Sequence, residues 1–191
     1  MARPFLIAVI GKSTKDPADQ PSPEALRAAE LVGANIAGAG AILITGGLSG
    51  VMEAASRGAK RANGLVIGML PGFDKDDANK WVDVALTTGM GWMRNTLVVR
   101  AADAVIMISG GIGTLNELTI AYHDKPTVVL EGTGGWSDRI REIAYEGKHL
   151  DESGSATLHF ASSPEEAVEL ALSLAARGQG GAVAAQREFK S

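Results

Sequence analysis

The sequence predicts an α/β fold in which one parallel sheet is covered by helices on both faces. Short apolar runs alternate with segments of helical periodicity along almost the whole chain. Glycines cluster where the apolar runs end, which is typical of strand-to-helix turns. The 191 residues are 46% hydrophobic, enough for a single domain with a substantial core. We expect this domain to span residues 1–177 and a C-terminal tail to span 178–191.

The strands are predicted from short apolar runs that are rich in valine and isoleucine. Continuous runs of this kind favour strands that are buried on both faces, as in a parallel sheet. Most of them are followed within three residues by glycine or proline, which interrupt regular structure. In chain order, strands are predicted at residues 5–10, 41–45, 65–70, 82–86, 104–108, 126–130 and 157–160.

The helices are predicted from apolar spacings of three and four residues and from capping signals. Ser22 precedes Pro23, the pattern of a serine N-cap with proline at the first helical position. Ser163 and Glu166 fit a capping box that begins another helix. The glycine- and alanine-rich C-terminal end is expected to form a loose tail or a short docked helix. In chain order, helices are predicted at residues 23–39, 51–62, 93–100, 114–122, 137–145 and 164–176.

Composition and charge exclude several classes of function. The net charge of −4 disfavours nonspecific nucleic-acid binding through a basic surface. Because the chain has no cysteine, disulfides, thiolate metal sites and cysteine nucleophiles are excluded. The three histidines lack metal-ligand spacing, so we predict no metal site. No apolar run approaches the roughly 20 residues that span a bilayer, and no convincing signal-peptide cleavage site is present, so we expect a cytoplasmic protein without a membrane partner.

Glycine turns at the ends of several predicted strands indicate one ligand-binding crevice. In a doubly wound, Rossmann-like sheet the carboxyl ends of the strands share an edge, and ligands bind there where the strand order reverses. The stretch 101–122 combines a buried strand, a bare glycine turn and a helix. Such a turn offers unpaired backbone N–H groups and the positive end of the helix dipole. We therefore expect a phosphate group at these turns.

Two common nucleotide-binding motifs are absent. Residues 11–14 (GKST) look like the end of a P-loop, but Leu6 stands where that motif needs its first glycine. Leu48 and Asn116 stand where the dinucleotide fingerprint needs glycine in the two glycine turns. The sequence therefore disfavours NAD as the ligand.

Three charged residues close to the glycine turns each have two interpretations. Glu117 follows Thr114 by three positions, so it is either half of a capping box or a carboxylate directed at the ligand. Arg94 lies near the start of a predicted helix and makes either a surface salt bridge or a bidentate phosphate clamp. Glu53 is either a structural residue or a hydrogen-bond partner of a ribose.

Two glycine motifs, GGLSGVMEA at 46–54 and GGIGTLNE at 110–117, resemble those of the LOG (Lonely Guy) superfamily. The resemblance covers most of the chain, from residue 5 to residue 130. Within that superfamily, VMEAASRGA at 51–59 and the segment 89–95 are most similar to the branch that includes molybdenum cofactor carrier proteins. The resemblance implies a homodimer or a larger homo-oligomer.

The resemblance implies two different functions. LOG enzymes release free base and ribose 5-phosphate from cytokinin nucleoside 5′-monophosphates, and Arg94 and Glu117 match their catalytic arginine and glutamate. Three departures favour the carrier branch: Asn95 replaces a lysine, Ser109 a proline and Glu53 a glycine of the enzymes. Molybdenum cofactor is a phosphorylated pterin, so a carrier would use the same anion-binding turns.

Both functions require a small phosphorylated ligand, nucleotide or pterin, and they differ in whether the protein turns it over. A carrier needs no cofactor of its own and holds molybdenum cofactor as cargo, whereas a phosphoribohydrolase uses Arg94 and Glu117. A ligand sensor or structural protein without chemistry is the third alternative. Besides that pair, the residues expected to bind the ligand are Gly11, Lys12, Ser13, Gly46, Gly47, Gly50, Met52, Glu53, Asn95, Gly110, Gly111, Gly113 and Thr114.

Overall fold

The computed structural model describes residues 3–14 and 18–188, and these residues form the predicted α/β fold. Their strands are β1 (Leu6–Gly11), β2 (Ile42–Thr45), β3 (Val66–Leu70), β4 (Val84–Thr87), β5 (Ala104–Ile108), β6 (Thr127–Leu130) and β7 (Leu158–Ala161). They make one parallel sheet with the order β4-β3-β2-β1-β5-β6-β7. The sheet confirms the predicted Rossmann-like, doubly wound architecture.

Helices cover both faces of this sheet. Helices α1, α2 and α6 pack on one face, and α3, α4 and α5 pack on the other. Within the described part of the chain, no helix is long and apolar enough to cross a membrane. The helices are α1 (Pro23–Gly38), α2 (Val51–Arg61), α3 (Asn95–Ala101), α4 (Ile112–Asp124), α5 (Ile140–Ile143) and α6 (Pro164–Glu188), with 3-10 turns at Lys75–Asp77, Gly91–Arg94 and Gly135–Asp138.

The central strands explain why the sequence shows continuous apolar runs. In β1, Ile7 and Val9 join the core beneath α1 and α2, whereas Ala8 and Ile10 join the core beneath α3 and α4. Successive side chains of a strand point to opposite faces, so a strand covered on both sides needs apolar residues at every position. Every residue of β5 is buried for the same reason.

The strand order reverses between β1 and β5, and this reversal creates the crevice. From β1 the chain winds outward through β2 and β3 to β4, and from β5 it winds the other way to β7. Gly11 at the end of β1 pairs in register with Ile108 at the end of β5. The loops that follow these two residues therefore diverge to opposite faces and leave a gap above the sheet edge.

Two predicted helices differ from those observed. The helix predicted at 137–145 is a 3-10 turn followed by the single turn of α5. Gly134 and Gly135 have φ values of +76° and +62°, and the Asp138 carboxylate accepts the Gly134 N–H at 2.9 Å. This compact turn uses the residues that would have formed the first helical turn.

Helix α6 extends to Glu188 instead of ending at 176. The predicted boundary between 177 and 178 therefore falls inside this helix. Residues 189–191 lie outside the described residues. A glycine within a helix costs about 1 kcal/mol relative to alanine, which is too little to end a helix already formed by the preceding turns.

Candidate functional site

A cleft of about 400 Å³ lies above the carboxyl ends of the central strands. The first turn of α4 lines one side, and the loop after β1 lines another. Ten of the predicted site residues line this cleft: Gly11, Lys12, Ser13, Met52, Arg94, Asn95, Gly111, Gly113, Thr114 and Glu117. Residues from four separate segments of the chain thus meet where the strand order reverses.

The N-terminus of α4 is not capped by a side chain. Gly111 is the N-cap, and α4 begins at Ile112 rather than at the predicted Thr114. Thr114 therefore lies within the first turn, and the capping box that it could have formed with Glu117 is not made. The first backbone N–H groups of α4 remain available to an anion in the cleft.

Glu117 pairs with Arg94 instead. The Arg94 Nη1 atom lies 3.3 Å from the Glu117 Oε1 atom, and the two side chains are only 8% and 9% exposed. The alternative of a surface salt bridge is thereby excluded for Arg94. A helix and a 3-10 turn on the same face of the sheet thus hold a charged pair at the base of the cleft.

The guanidinium of Arg94 is incompletely hydrogen-bonded. Its Nε atom is buried and has no partner among the described residues. Its Nη2 atom has only a 3.5 Å contact with the carbonyl oxygen of Gly46. Leaving a buried N–H donor unpaired costs about 1–3 kcal/mol, so this arginine is ready to accept a further partner.

Burial changes the proton affinity of both members of the pair. Desolvation raises the pKa of Glu117 to about 7, although the Arg94 charge acts in the opposite direction. Desolvation also lowers the pKa of Arg94, against the effect of Glu117. A carboxyl group that exchanges its proton near neutral pH is suited to acid–base chemistry.

Asn95 connects this pair to the surface of α4. Its Oδ1 atom accepts a hydrogen bond from Arg94 Nη1 at 2.7 Å, which is shorter than the contact between Nη1 and Glu117. Its Nδ2 atom donates to the Oδ1 atom of Asn116 at 2.9 Å. The buried Asn95 side chain is therefore held between the arginine and an exposed residue of α4.

The glycines of the first glycine turn shape the cleft without lining it. A Cβ atom on Gly46 would lie 2.3 Å from Arg94 Nη2, so only glycine leaves room for the guanidinium. Gly50 has a φ of +74° and precedes Val51, whose N–H donates to the Lys12 carbonyl at 2.9 Å. This bond ties the loop after β1 to the start of α2. The predicted site residues that do not line the cleft are Gly46, Gly47, Gly50, Glu53 and Gly110.

Glu53 is half-buried on α2 and lies outside the cleft lining. Glu53 lies one helical turn before Arg57, and its negative charge makes a small contribution to the raised pKa of Arg57. This arrangement agrees with the structural interpretation of Glu53.

Lys12 has a counter-ion inside the cleft. Its ammonium group pairs with the carboxylate of Asp19, and both residues line the cavity. The lysine side chain is largely buried, whereas the aspartate is largely exposed. The cleft therefore contains two cation–anion pairs, one buried at its base and one at its rim.

The sequence missed six residues of the cleft wall: Asp19, Leu48, Pro71, Gly91, Trp92 and Ile112. Most of them belong to loops whose positions depend on tertiary packing. The Trp92 ring lies against Gly113, where a Cβ would be 2.8 Å from the indole Cζ3 atom. Two of the six had a signal in the sequence: Trp92 is an aromatic residue close to Arg94, and Pro71 is the proline that ends β3.

Known proteins resemble this chain in sequence and structure. A molybdenum cofactor binding protein from Rippkaea orientalis shares 36% identity, with a TM-score of 0.76 over 91% of this chain and 98% of that one. The molybdenum cofactor carrier protein of Chlamydomonas reinhardtii shares 31% identity, with a TM-score of 0.75 over 91% and 99%.

A curated enzyme is also similar to this chain. The cytokinin riboside 5′-monophosphate phosphoribohydrolase of Mycobacterium tuberculosis is 34% identical over 138 residues, which cover 64% of this chain and 74% of that protein. These similarities confirm the predicted resemblance to LOG proteins and to carrier proteins. A family model described as the SLOG cluster4 family matches residues 4–168. The chain belongs to the SLOG cluster4 family.

Proposed function

We propose that the cleft binds a small phosphorylated ligand of nucleotide or pterin type, with its phosphate at the first turn of α4. The observation that carries this proposal is the buried guanidinium of Arg94, which has an unpaired Nε atom and only a long contact from Nη2. An arginine with two free donor directions binds a phosphate bidentately. The uncapped N-terminus of α4 supplies backbone donors to the same ligand.

The carrier function is the first form of this proposal. The similar proteins from Rippkaea and Chlamydomonas are described as binding or carrying molybdenum cofactor, and we propose that cofactor as cargo here. Arg94 and the turn at 111–114 would hold its phosphate, and the apolar wall that includes Leu48 and Trp92 would adjoin its flat ring system.

Ser109 supports a loop different from that of the enzymes. It replaces the proline expected from the LOG enzymes, and its φ is +57°. Its N–H donates to Thr133 Oγ1 at 2.8 Å, and its carbonyl accepts from the Ser137 hydroxyl at 2.9 Å. Proline has no N–H and is restricted to a φ near −65°, so it cannot replace Ser109 in this conformation. The phosphate turn of this chain therefore has its own backbone geometry.

Hydrolysis of a nucleoside 5′-monophosphate is the second candidate, and the buried Arg94–Glu117 pair favours it. In that reaction a water oxygen bonds to C1′ of the ribose, the bond from C1′ to the base nitrogen breaks, and the base leaves with a proton. An ionised Glu117 can orient the water or stabilise the positive charge that develops on the ribose. Its pKa of about 7 makes that ionised form accessible at neutral pH.

Two measurements separate these functions. Mass spectrometry of the ligand released from purified protein identifies cargo, and incubation with a panel of nucleoside monophosphates detects free base. A co-purified pterin, or tight nucleotide binding without base release, supports the carrier. Stoichiometric release of base and ribose 5-phosphate, lost in Glu117→Gln, supports the hydrolase. If the protein neither binds such a ligand nor releases base, that result would contradict the proposed phosphorylated ligand.

We also propose that the protein forms a homo-oligomer through the surface patch around Trp92, Met93 and Ile112. Trp92, Met93 and Ile112 are 68%, 71% and 73% exposed and adjoin a second, shallow cavity of about 470 Å³. Exposed apolar groups of this size gain free energy when a second copy covers them. Met93→Lys should shift the protein to monomers in sedimentation, whereas Ile143→Lys on α5 should not. A wild-type monomer would contradict the proposal.

A further inference from the structure

Two acceptors bond to the same nitrogen of the buried arginine, whose two N–H groups can serve one acceptor each. Arg94 Nη1 lies 2.7 Å from the Asn95 Oδ1 atom and 3.3 Å from the Glu117 Oε1 atom. The shorter bond goes to the neutral amide, although an ionised carboxylate is the stronger acceptor. The short bond to Asn95 thus fixes Nη1 at a position from which its bond to the charged partner is the longer of the two.

The orientation of the Asn95 amide is fixed from its other end. Asn95 Nδ2 donates to Asn116 Oδ1 at 2.9 Å. If the amide were rotated by half a turn, its NH₂ group would face the guanidinium donor and its oxygen would lose the arginine as donor. Asn116 is exposed on α4, one residue before Glu117, so it anchors the amide without filling the cleft.

We propose that Asn95 is a positioning residue that keeps Arg94 from closing fully onto Glu117, and that Asn116 fixes the Asn95 side chain in this role. The inference rests on the proposed function in one respect: the guanidinium donors that are kept free are those offered to the phosphate. Asn95 then acts through Arg94 rather than by contacting the ligand. A lysine at this position would have no acceptor and could not hold the arginine in this way.

The test is a pH titration of Glu117 in the ligand-free protein, monitored by carbon NMR of the glutamate carboxyl groups. The charged groups that face Glu117 are Arg94 from the preceding 3-10 turn and, across the cleft, Lys12 and Asp19. In Asn95→Leu, Nη1 is released to Glu117, so the pKa of Glu117 should fall by about one pH unit. The affinity for inorganic phosphate should fall about tenfold, because the guanidinium is more fully neutralised.

Asn116→Ala should change the pKa of Glu117 in the same direction by a smaller amount. The double variant should show no more change than Asn95→Leu alone, because both act through one hydrogen-bonded chain. Thr119→Ala removes another polar group from the exposed face of α4 and is the matched control, with no expected change. Because Asn116 is exposed, its variant carries the test if Asn95→Leu does not fold.

An unchanged or raised pKa of Glu117 in these variants would overturn the positioning role, even if their melting temperatures fell. The outcome is separable from the proposed function. If the wild-type protein binds neither inorganic phosphate nor AMP, the phosphate site is wrong. The NMR titration still decides whether Asn95 restrains Arg94.

Discussion

Gly46 gives the guanidinium of Arg94 its position in the cleft, because a Cβ atom at position 46 would lie 2.3 Å from Arg94 Nη2. The clash in Gly46→Ala falls on the end of a long side chain, so the arginine should move while the fold persists. We expect AMP affinity to fall about tenfold or more, measured by calorimetry. Gly38→Ala on α1 is the control, because a Cβ there meets no atom within 4 Å. Equal affinities in both variants would exclude this role of Gly46.

Gly111→Asp should abolish ligand binding without unfolding the protein. The φ of Gly111 is −111°, which any residue adopts, and a Cβ there meets nothing within 4 Å. The new carboxylate would occupy the anion position at the start of α4 and would repel a bound anion. Gly111→Ala should retain both folding and binding. Unchanged AMP affinity in a calorimetric titration of Gly111→Asp would exclude the phosphate site.

The sequence was sufficient to predict where the cleft lies, because that position follows from strand order and turn chemistry. The glycine turns at 46–50 and 110–113 end two strands of the same parallel sheet, so their convergence needs no side-chain detail. Arg94 and Glu117 were selected from their positions near helix starts, and they form a pair in the structure. Their burial could not be predicted, because it depends on how α3 and α4 pack together.

Local patterns failed where tertiary contacts compete with them. Thr114 and Glu117 have the spacing of a capping box, but Arg94 provides a charged partner for Glu117 and α4 begins two residues earlier. Asp19 follows a loop rich in proline, and nothing in the local sequence indicates that its carboxylate reaches Lys12. Nothing in the local sequence of the first glycine turn indicates that Gly46 leaves room for the guanidinium of Arg94.

Anion binding should depend on pH through Glu117. Its pKa is raised to about 7, so the carboxyl group is protonated at lower pH and becomes a competing anion beside Arg94 at higher pH. Sulfate does not titrate in this range, and its affinity should fall about tenfold between about pH 6 and about pH 8. In Glu117→Gln the affinity should not change with pH. A pH dependence that persists in this variant would assign the titration to another group.

If the protein is a hydrolase, the same group gives the opposite pH dependence for turnover. Only ionised Glu117 can act as a base or stabilise a cationic ribose, so base release should increase as pH rises through about 7. Glu117→Gln should abolish base release and keep AMP binding. A variant that releases base at the wild-type rate would leave Glu117 with a structural role alone.

Asp19→Asn should increase the affinity for phosphate. The Asp19 carboxylate neutralises Lys12 in the free protein, and a bound phosphate has to compete with it. Its loss should raise AMP affinity about threefold to tenfold, with little effect on stability, because exposed ion pairs contribute little. Asp124→Asn breaks a similar pair with Arg100 at the far end of α4 and controls for net charge. An equal increase in both variants would indicate a general charge effect.

A crystal structure of the protein with bound AMP would show whether Arg94 and the first turn of α4 hold the phosphate. We expect the phosphate of AMP at the backbone N–H groups of residues 112–114, with hydrogen bonds from Arg94 Nε or Nη2. The guanidinium would thereby gain the partner that it lacks in the free protein. Phosphate density elsewhere, with Arg94 Nε still unpaired in the occupied protein, would contradict the account.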